Sequence, residues 1–165
     1  MADATNLLAC ELVAREARLL DERAWDAWLA LYAEDAEFWV PTWRDEDQLT
    51  EDPARELSFM FLQGRALLAE RVQRLASGRS VAAMPLPRTS HLVTGSQAQA
   101  TGQDCVLVQS AFLCHVYHHK DASLVPYTGR YEHLLVPGGA GLQIRRKKIV
   151  LVNDRLASQV DFFYL

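Results

Sequence analysis

The sequence has few cysteines: Cys10, Cys105 and Cys114 are the only three among 165 residues. An odd number of widely spaced cysteines does not make a disulfide framework, so we expect reduced thiols in a cytoplasmic protein. No apolar run approaches the roughly 20 residues that a membrane-spanning helix requires. The first residues also lack a basic start and a long apolar core, because Glu11 and Arg15 interrupt them, and a signal peptide is therefore not expected.

Common cofactor motifs are missing as well. The sequence contains no G-x-G-x-x-G segment, no Walker loop and no G-x-S-x-G nucleophile motif. His115, His118 and His119 form the only dense histidine group, and His115 and His119 could share one strand face as metal ligands. A strand that ends in a polar loop explains the same histidines. The acidic segment 42–55 could bind a cation, but nothing fixes its geometry, and we expect an exposed loop.

Charge and composition indicate a folded acidic protein. The formal net charge is −4, with 50% hydrophobic and 23% charged residues, and the length suits a single domain over residues 1–165. This charge balance does not indicate a basic surface of the kind that binds nucleic acid. The one basic run, from Arg145 to Lys148, alternates across a strand, so at least two of its charges must meet water or the carboxylates of a partner.

The most informative segment runs from Glu16 to Pro41. Trp25, Trp28, Leu29 and Tyr32 follow helical spacing, which predicts a helix that Asp21 caps and that ends at Glu34-Asp35. Residues 38–40 then predict a short strand closed by Pro41. We interpret the large aromatic residues of this segment as core without chemistry, because each buries a large apolar area.

The rest of the chain predicts helices followed by strands. Thr5 can cap a first helix to about Leu20. Residues 57–62 could be a buried strand or a helix start, and a third amphipathic helix follows, stopped at Ser77-Gly78. Strands are expected over 91–95, 106–118, 127–136 and 142–153, the last with a bulge or bend near Arg146. The order predicts an α+β fold with helices on one face of an antiparallel sheet, and the apolar tail 160–165 should dock on it.

Four stretches resemble one known family. They are LYAEDAEFWVP at 31–41, the helix RALLAERVQRLASG at 65–78, PRTSH at 87–91 and IRRKKIVLVND at 144–154. Together they are similar, in order and over nearly the whole chain, to the β (small) subunits of aromatic-ring-hydroxylating dioxygenases, which are Rieske non-haem iron oxygenases. The length and ending suit the benzoate/anthranilate-like branch. The segment 61–64 departs from the family, where many members carry a Tyr-Asp pair before the arginine, so the substrate subgroup stays open.

The resemblance implies a fold and a role. The fold would be a cystatin-like, nuclear-transport-factor-like cone, with N-terminal helices packed on a strongly curved antiparallel sheet. The chain would be a non-catalytic structural subunit without metal, in a hexamer of three α and three β subunits whose β subunits also associate as a trimer. The α subunit would hold the Rieske [2Fe–2S] cluster and the mononuclear Fe(II), supplied with electrons from NAD(P)H through a reductase, and the complex would add dioxygen to an aromatic acid. This chain has no C-x-H pair for a Rieske cluster.

Two sets of candidate residues follow. Under the resemblance, we expect five aromatic residues and three arginines at the subunit interface. They are Trp39, Trp43, Arg88, Arg145, Arg146, Phe162, Phe163 and Tyr164. The alternative is a stand-alone isomerase, dehydratase or cyclase on the same cone, with an acid/base pocket built from Asp35, His91 and Tyr131.

Overall fold

A computed structural model describes residues 2–77, 84–102, 104–139, 141–156 and 159–165. The helices are α1 (Ala2–Asp21), α2 (Trp25–Leu29) and α3 (Arg65–Ala76). The strands are β1 (Tyr32–Pro41), β2 (Ser58–Gln63), β3 (Arg88–Gly102), β4 (Cys105–His118), β5 (Ser123–Gly138) and β6 (Gly141–Leu151). A 3₁₀ turn over Phe162–Tyr164 follows. None of the described helices combines the length and apolar character needed to cross a membrane.

The strands form one six-stranded sheet in the order β2-β1-β6-β5-β4-β3. All neighbours pair antiparallel except β1 and β6, which are parallel. Between β5 and β6 the register shifts at Leu134/Leu135, because Leu134 opposes Arg146 and Leu135 opposes Ile144. Arg145 is therefore the extra residue of a bulge, which confirms the irregularity expected near Arg146 and turns Ile144, Lys147 and Ile149 to the same face. The predicted α+β cone is confirmed.

The first two helices differ from the prediction. α1 begins by Ala2, so Thr5 lies within the helix and does not cap it. α2 is a single turn preceded by Ala24, so Asp21 does not cap it either. Tyr32 already belongs to β1, because the backbone before it is hydrogen-bonded to β6. The Ile144 N–H donates to the Leu31 carbonyl at 2.8 Å. Sheet pairing thus overrides the helical spacing, and Glu34 and Asp35 lie on a strand rather than at a helix end.

The structure also decides the secondary structure of segments that the sequence left open. The ambiguous segment 57–62 is β2, an edge strand paired with β1. α3 buries Leu68, Val72 and Leu75, as its spacing predicts, whereas the expected stop at Gly78 lies outside the described residues. The predicted docking of the tail is confirmed, since Phe162 and Phe163 are at most 2% exposed.

The sheet has an inner face under α1 and an outer face on the other side. Alternate residues of β4 show the division, because Val108, Phe112 and Cys114 are buried on the inner face while their neighbours are not. The loop 42–57 packs over part of the outer face, where Trp43 Nε1 donates to the Leu151 carbonyl at 2.8 Å. Lys148 Nζ lies 4.7 Å from the Trp39 ring centroid on the same side. The loop also reaches β3 and β4, because Leu49 lines one surface pocket with Gly95, Gln97 and Gln109.

Gly129 provides a test of how closely β5 and β6 approach. A Cβ atom at Gly129 would lie 1.9 Å from the Val150 carbonyl oxygen, which is backbone and cannot yield easily. We expect Gly129→Ala to lower the free energy of unfolding by about 1–3 kcal/mol in urea denaturation. Gly141→Ala is the control, because no atom lies within 4 Å of its added methyl group. Equal stability of the two variants would contradict the close approach.

Candidate functional site

A fully buried ion pair joins α1 to the sheet. Lys147 Nζ lies 3.0 Å from Glu16 Oε1 and 2.9 Å from Glu16 Oε2, and it also donates to the main-chain oxygen of Leu165 at 2.8 Å. Glu16 Oε1 accepts two further hydrogen bonds, from Trp28 Nε1 at 2.7 Å and from the Tyr32 hydroxyl at 2.9 Å. Both charged side chains are 0% exposed. This one cluster of hydrogen bonds therefore connects α1, α2, β1 and the tail to β6.

The two partners of this pair respond differently: burial lowers the pKa of Lys147 although the Glu16 charge opposes the shift, whereas Glu16 is held in its charged form. Burial raises the pKa of Glu16, but the Lys147 ammonium and the hydrogen bonds from Trp28 and Lys147 outweigh it, and the net pKa is lowered. All three ammonium hydrogens have an acceptor, two on Glu16 and one on Leu165. Lys147 also lies 4.4 Å from the Tyr131 ring centroid, which adds a cation–π contact. Hydrogen bonds from protein groups thus replace the water that would hydrate this ion pair in solution.

A second polar cluster lies one and a half turns further along α1. Asp21 Oδ1 accepts from the Thr89 hydroxyl at 2.8 Å and lies 2.6 Å from His91 Nδ1, while Asp21 Oδ2 accepts from the His91 backbone N–H at 2.8 Å. Burial raises the pKa of Asp21, but the hydrogen bonds from His91 and Thr89 outweigh it and the net pKa is lowered. Because an ionised carboxylate only accepts, the proton of this bond belongs to His91 Nδ1.

Cys114 lies on the neighbouring strand beside the Asp21–His91 pair, and its thiol donates to the His115 carbonyl at 3.8 Å. His91 and Cys114 are direct partners across β3 and β4, and both side chains are 0% exposed. Burial raises the pKa of the Cys114 thiol to about 12, with a smaller contribution from Asp21. A thiol in that state is not a nucleophile at neutral pH. The Asp21 carboxylate therefore holds β3 to α1 through His91 and Thr89, and Cys114 is not an activated cysteine.

His133 is a buried histidine between Val108 and Lys147 on the inner face. Neither ring nitrogen has a hydrogen-bond partner among the described residues. Burial, together with the nearby Lys147 charge, lowers the pKa of His133 to about 3, although the Glu16 charge opposes the shift. His133 is therefore neutral in the folded protein across the physiological range.

The alternative acid/base residues do not form one site. Asp35 is 64% exposed on β1, where its carboxylate lies 3.2 Å from Arg145 Nη2. His91 and Tyr131 lie on the inner face, closed to solvent. Across the described ranges, no group of three or more His, Cys, Asp or Glu side chains is arranged to hold a metal ion, so His115, His118 and His119 do not form such a group. No described cluster fits a Rieske or mononuclear iron ligand set.

Sequence reasoning missed Glu16, Lys147 and Asp21 as functional positions. A signal was present for Glu16, because it falls in the apolar stripe of α1 with Ala9, Val13 and Leu20, all 0% exposed. No such signal existed for Lys147, because the bulge at Arg145 decides which residue of the basic run faces inward. The run finds its carboxylates within this chain: Arg145 meets Asp35, Arg146 meets Glu132 at 3.1 Å, and Lys147 meets Glu16.

The buried pair gives a direct stability prediction. We expect Lys147→Met to lower the free energy of unfolding by about 3–5 kcal/mol, because it leaves the Glu16 carboxylate buried without a cation. The double variant Glu16→Gln/Lys147→Met should recover part of the loss, since the uncompensated charge is removed. Arg18→Ala is the control: it breaks the exposed Arg18–Glu22 pair on the same helix, worth about 0.5 kcal/mol or less. A Lys147→Met loss no larger than the control would contradict the role of the pair.

His133 predicts an acid sensitivity above pH 5. Between 6.5, its ordinary pKa, and about 3, the unfolded chain binds a proton at His133 that the folded chain does not, so stability falls as pH falls. We expect His133→Leu to reduce the loss of unfolding free energy between pH 6.5 and pH 5 by about 2 kcal/mol. Glu16 and Asp21, whose pKa values are lowered, act at lower pH. His119→Leu at the rim is the control, and equal pH dependence in both variants would contradict the assignment.

The sequence matches one family model and several curated relatives. The model described as ring hydroxylating beta subunit matches residues 15–158. The 2-halobenzoate 1,2-dioxygenase small subunit of Burkholderia cepacia is 37% identical over 152 residues, covering 92% of this chain and 90% of the relative. The toluate 1,2-dioxygenase subunit beta of Pseudomonas putida is 35% identical over 151 residues, covering 92% of each.

A solved structure agrees with these matches. The β subunit of the benzoate 1,2-dioxygenase from Burkholderia mallei superposes with a TM-score of 0.77 at 31% identity and covers 95% of both chains. The resemblance inferred from the four sequence stretches is confirmed. This chain belongs to the ring-hydroxylating β-subunit family, the small-subunit components of aromatic-ring dioxygenases.

Proposed function

We propose that this chain is the non-catalytic structural subunit of a cytoplasmic oxygenase that adds dioxygen to an aromatic acid. It would assemble as three copies with three large subunits. The large subunit would hold the Rieske cluster and the mononuclear iron and would receive electrons from NAD(P)H through a reductase. The names of the relatives support the substrate class, because 2-halobenzoate, toluate and benzoate are aromatic acids.

The observation that carries the structural role is the cross-linked interior. Two carboxylates of α1 are each bound to the sheet, Glu16 through Lys147 and Asp21 through His91. The acid/base candidates on the inner face are enclosed rather than presented to solvent. A rigid body of this kind is suited to hold other subunits at fixed distances, which is the role that the family assignment supports.

The uncovered outer face offers an apolar surface for assembly. We define the outer patch as Leu92, Leu113, Leu124 and Pro126, which lie on the outer face of β3, β4 and β5. Leu92 is 51% exposed and Leu124 is 57% exposed, and Leu92 and Leu113 are direct partners across the two strands. Apolar side chains that are exposed together on one face of a sheet can mark a protein interface. We assign the outer patch to contact with the large subunit.

The interface residues expected from the sequence fall into two groups. The first group is buried inside this chain and consists of Phe162, Phe163, Tyr164 and Trp39, of which Trp39 is 5% exposed. These residues would support the interface by holding its backbone in place. Trp43 is held by its bond to Leu151. The charged candidates reach the surface: Arg88 is exposed at the start of β3, and the side chains of Arg145 and Arg146 are 54% and 39% exposed. These arginines remain our candidates for polar contacts at the rim.

Co-expression with the large subunit tests the proposal. We expect the unaltered chain to purify as an iron-containing assembly with equal numbers of both subunits, measured by native mass spectrometry and metal analysis. Leu92→Glu and Leu124→Glu should each weaken assembly by at least tenfold, because a buried unpaired carboxylate is strongly unfavourable in an interface. Leu57→Glu is the matched control, since Leu57 is 81% exposed outside the outer patch.

The outcomes separate the subunit role from the surface assignment. A chain that ignores the large subunit and stays metal-free in every preparation contradicts the subunit role. Normal assembly of Leu92→Glu and Leu124→Glu, or equal loss in Leu57→Glu, contradicts the outer patch alone. If the two patch variants instead change only the self-association of this chain, measured without the large subunit, the patch faces a second copy and our assignment is wrong.

A further inference from the structure

A cleft of about 380 Å³ crosses the outer face of the sheet. Residues of the four strands β3 to β6 form its floor, and Leu49, from the loop over this face, also lines it. One row of the floor consists of consecutive cross-strand partners, so their side chains lie side by side. They are Gln97, Gln109, Glu132 and Lys148. The cleft is therefore preformed on a paired backbone.

The cleft carries an excess of cations. Arg130, Lys148 and Glu132 line it, and Glu132 is already bonded to Arg146 at 3.1 Å. Lys148 lies over the Trp39 ring, but neither Lys148 nor Arg130 forms an ion pair with a carboxylate in the described ranges. The neighbouring glutamine amides can add hydrogen bonds. We call this surface the basic cleft, and its donors suit a carboxylate partner.

The acidic loop beside the cleft ends in an ordered tip. Trp43 and Leu49 are bridged as in a hairpin, and the five residues 44–48 between them are all exposed. Asp45 Oδ1 accepts from two backbone N–H groups of the tip at 2.9 and 2.8 Å, so its carboxylate holds the turn together. The tip is therefore a fixed projection rather than a loose loop.

Glu46 and Asp47 are the exposed carboxylates of this projection, and we call them the acidic tip. Neither forms an ion pair with any cation that the structure describes, whereas the two arginines of the same loop are bound to its other carboxylates. Within one copy, the acidic tip thus does not neutralise the basic cleft, although Leu49 connects the base of the tip to the cleft. Opposite charges on neighbouring surfaces can instead meet between copies.

We propose that the acidic tip of one copy of this chain enters the basic cleft of a neighbouring copy, where its carboxylates meet Arg130 and Lys148. The charges are complementary, and both surfaces are ordered beforehand, so little ordering entropy opposes the contact. Such a contact is head-to-tail, and head-to-tail contacts can close into a ring. The inference rests on the proposed function for the number of copies in that ring, which is three.

The contact is compatible with the surface assigned to the large subunit. Ala111 lines the basic cleft, and Leu113 of the outer patch lies two residues further along β4 on the same face. The neighbouring copy and the large subunit would therefore meet side by side on the outer face. Because the two surfaces carry different chemistry, one charged and one apolar, separate substitutions can test them.

Charge reversal in the chain without the large subunit tests the contact, with self-association measured by analytical ultracentrifugation. Arg130→Glu and the double variant Glu46→Lys/Asp47→Lys should each raise the Kd of self-association at least about tenfold, because like charges then face each other. The variant that combines all three changes should return the Kd to within about threefold of the unaltered chain, since the charges are complementary again. Lys120→Glu is the matched control, because it reverses an exposed charge at the far end of β4.

The rescue by the combined variant separates a lost contact from a damaged fold. A chain that stays monomeric at about 100 µM, a combined variant no better than its parents, or an equal loss in Lys120→Glu overturns the proposal. If Arg130→Glu weakens only the assembly with the large subunit, the cleft faces that subunit and the proposal is wrong. Rescue together with no iron-containing assembly on co-expression supports the contact between copies and contradicts the proposed function instead.

Discussion

The Glu16–Lys147 pair is the constraint on which the rest of the structure depends. A charged pair that is 0% exposed is stable only when its remaining hydrogen-bonding capacity is used, and here every partner comes from a different part of the chain. Trp28 and Tyr32 bond to the carboxylate, and the Leu165 oxygen accepts from the ammonium. The pair therefore couples the position of α1, the end of α2, the start of β1 and the tail, and each of them can adopt its place only if the others do.

The same coupling explains why the interior is enclosed. α1 contributes a second carboxylate, Asp21, five residues beyond Glu16, and it orders Thr89 and His91 at the start of β3, across the sheet from β6. The 3₁₀ turn fills the remaining space, with Phe162 centred 5.0 Å from Trp28 and Tyr164 stacked 5.6 Å from Tyr127. Acid/base residues of a kind that could line a pocket in another cone-shaped fold thus hold α1 to the sheet in this chain.

Sequence patterns predicted the fold correctly where a single local pattern, such as apolar spacing or strand alternation, determined the structure. α3 follows its apolar spacing, and the phase change in the last strand located the bulge, because strand alternation cannot otherwise turn both Ile144 and Ile149 inward. Prediction failed where a distant partner decided the outcome. Tyr32 has helical spacing after Trp28 and Leu29, yet β6 draws it into the sheet. Lys147 is buried because of one extra residue at Arg145 and a glutamate 131 positions away.

The division between the two faces of the sheet connects this architecture to assembly. On the inner face, the two carboxylates of α1 are bound within the chain, Glu16 to Lys147 and Asp21 to His91 and Thr89. On the outer face the loop 42–57 lies near Trp39 and Leu151 and reaches Gly95 and Gln109 through Leu49. Leu92 and Leu124 of the outer patch stay exposed. A surface on a sheet held in this way loses little conformational freedom on binding, so the contacts that it makes are offset less by ordering entropy. The buried charges under α1 and the exposed apolar residues of the outer patch are therefore both consistent with the supporting role that we propose for this subunit.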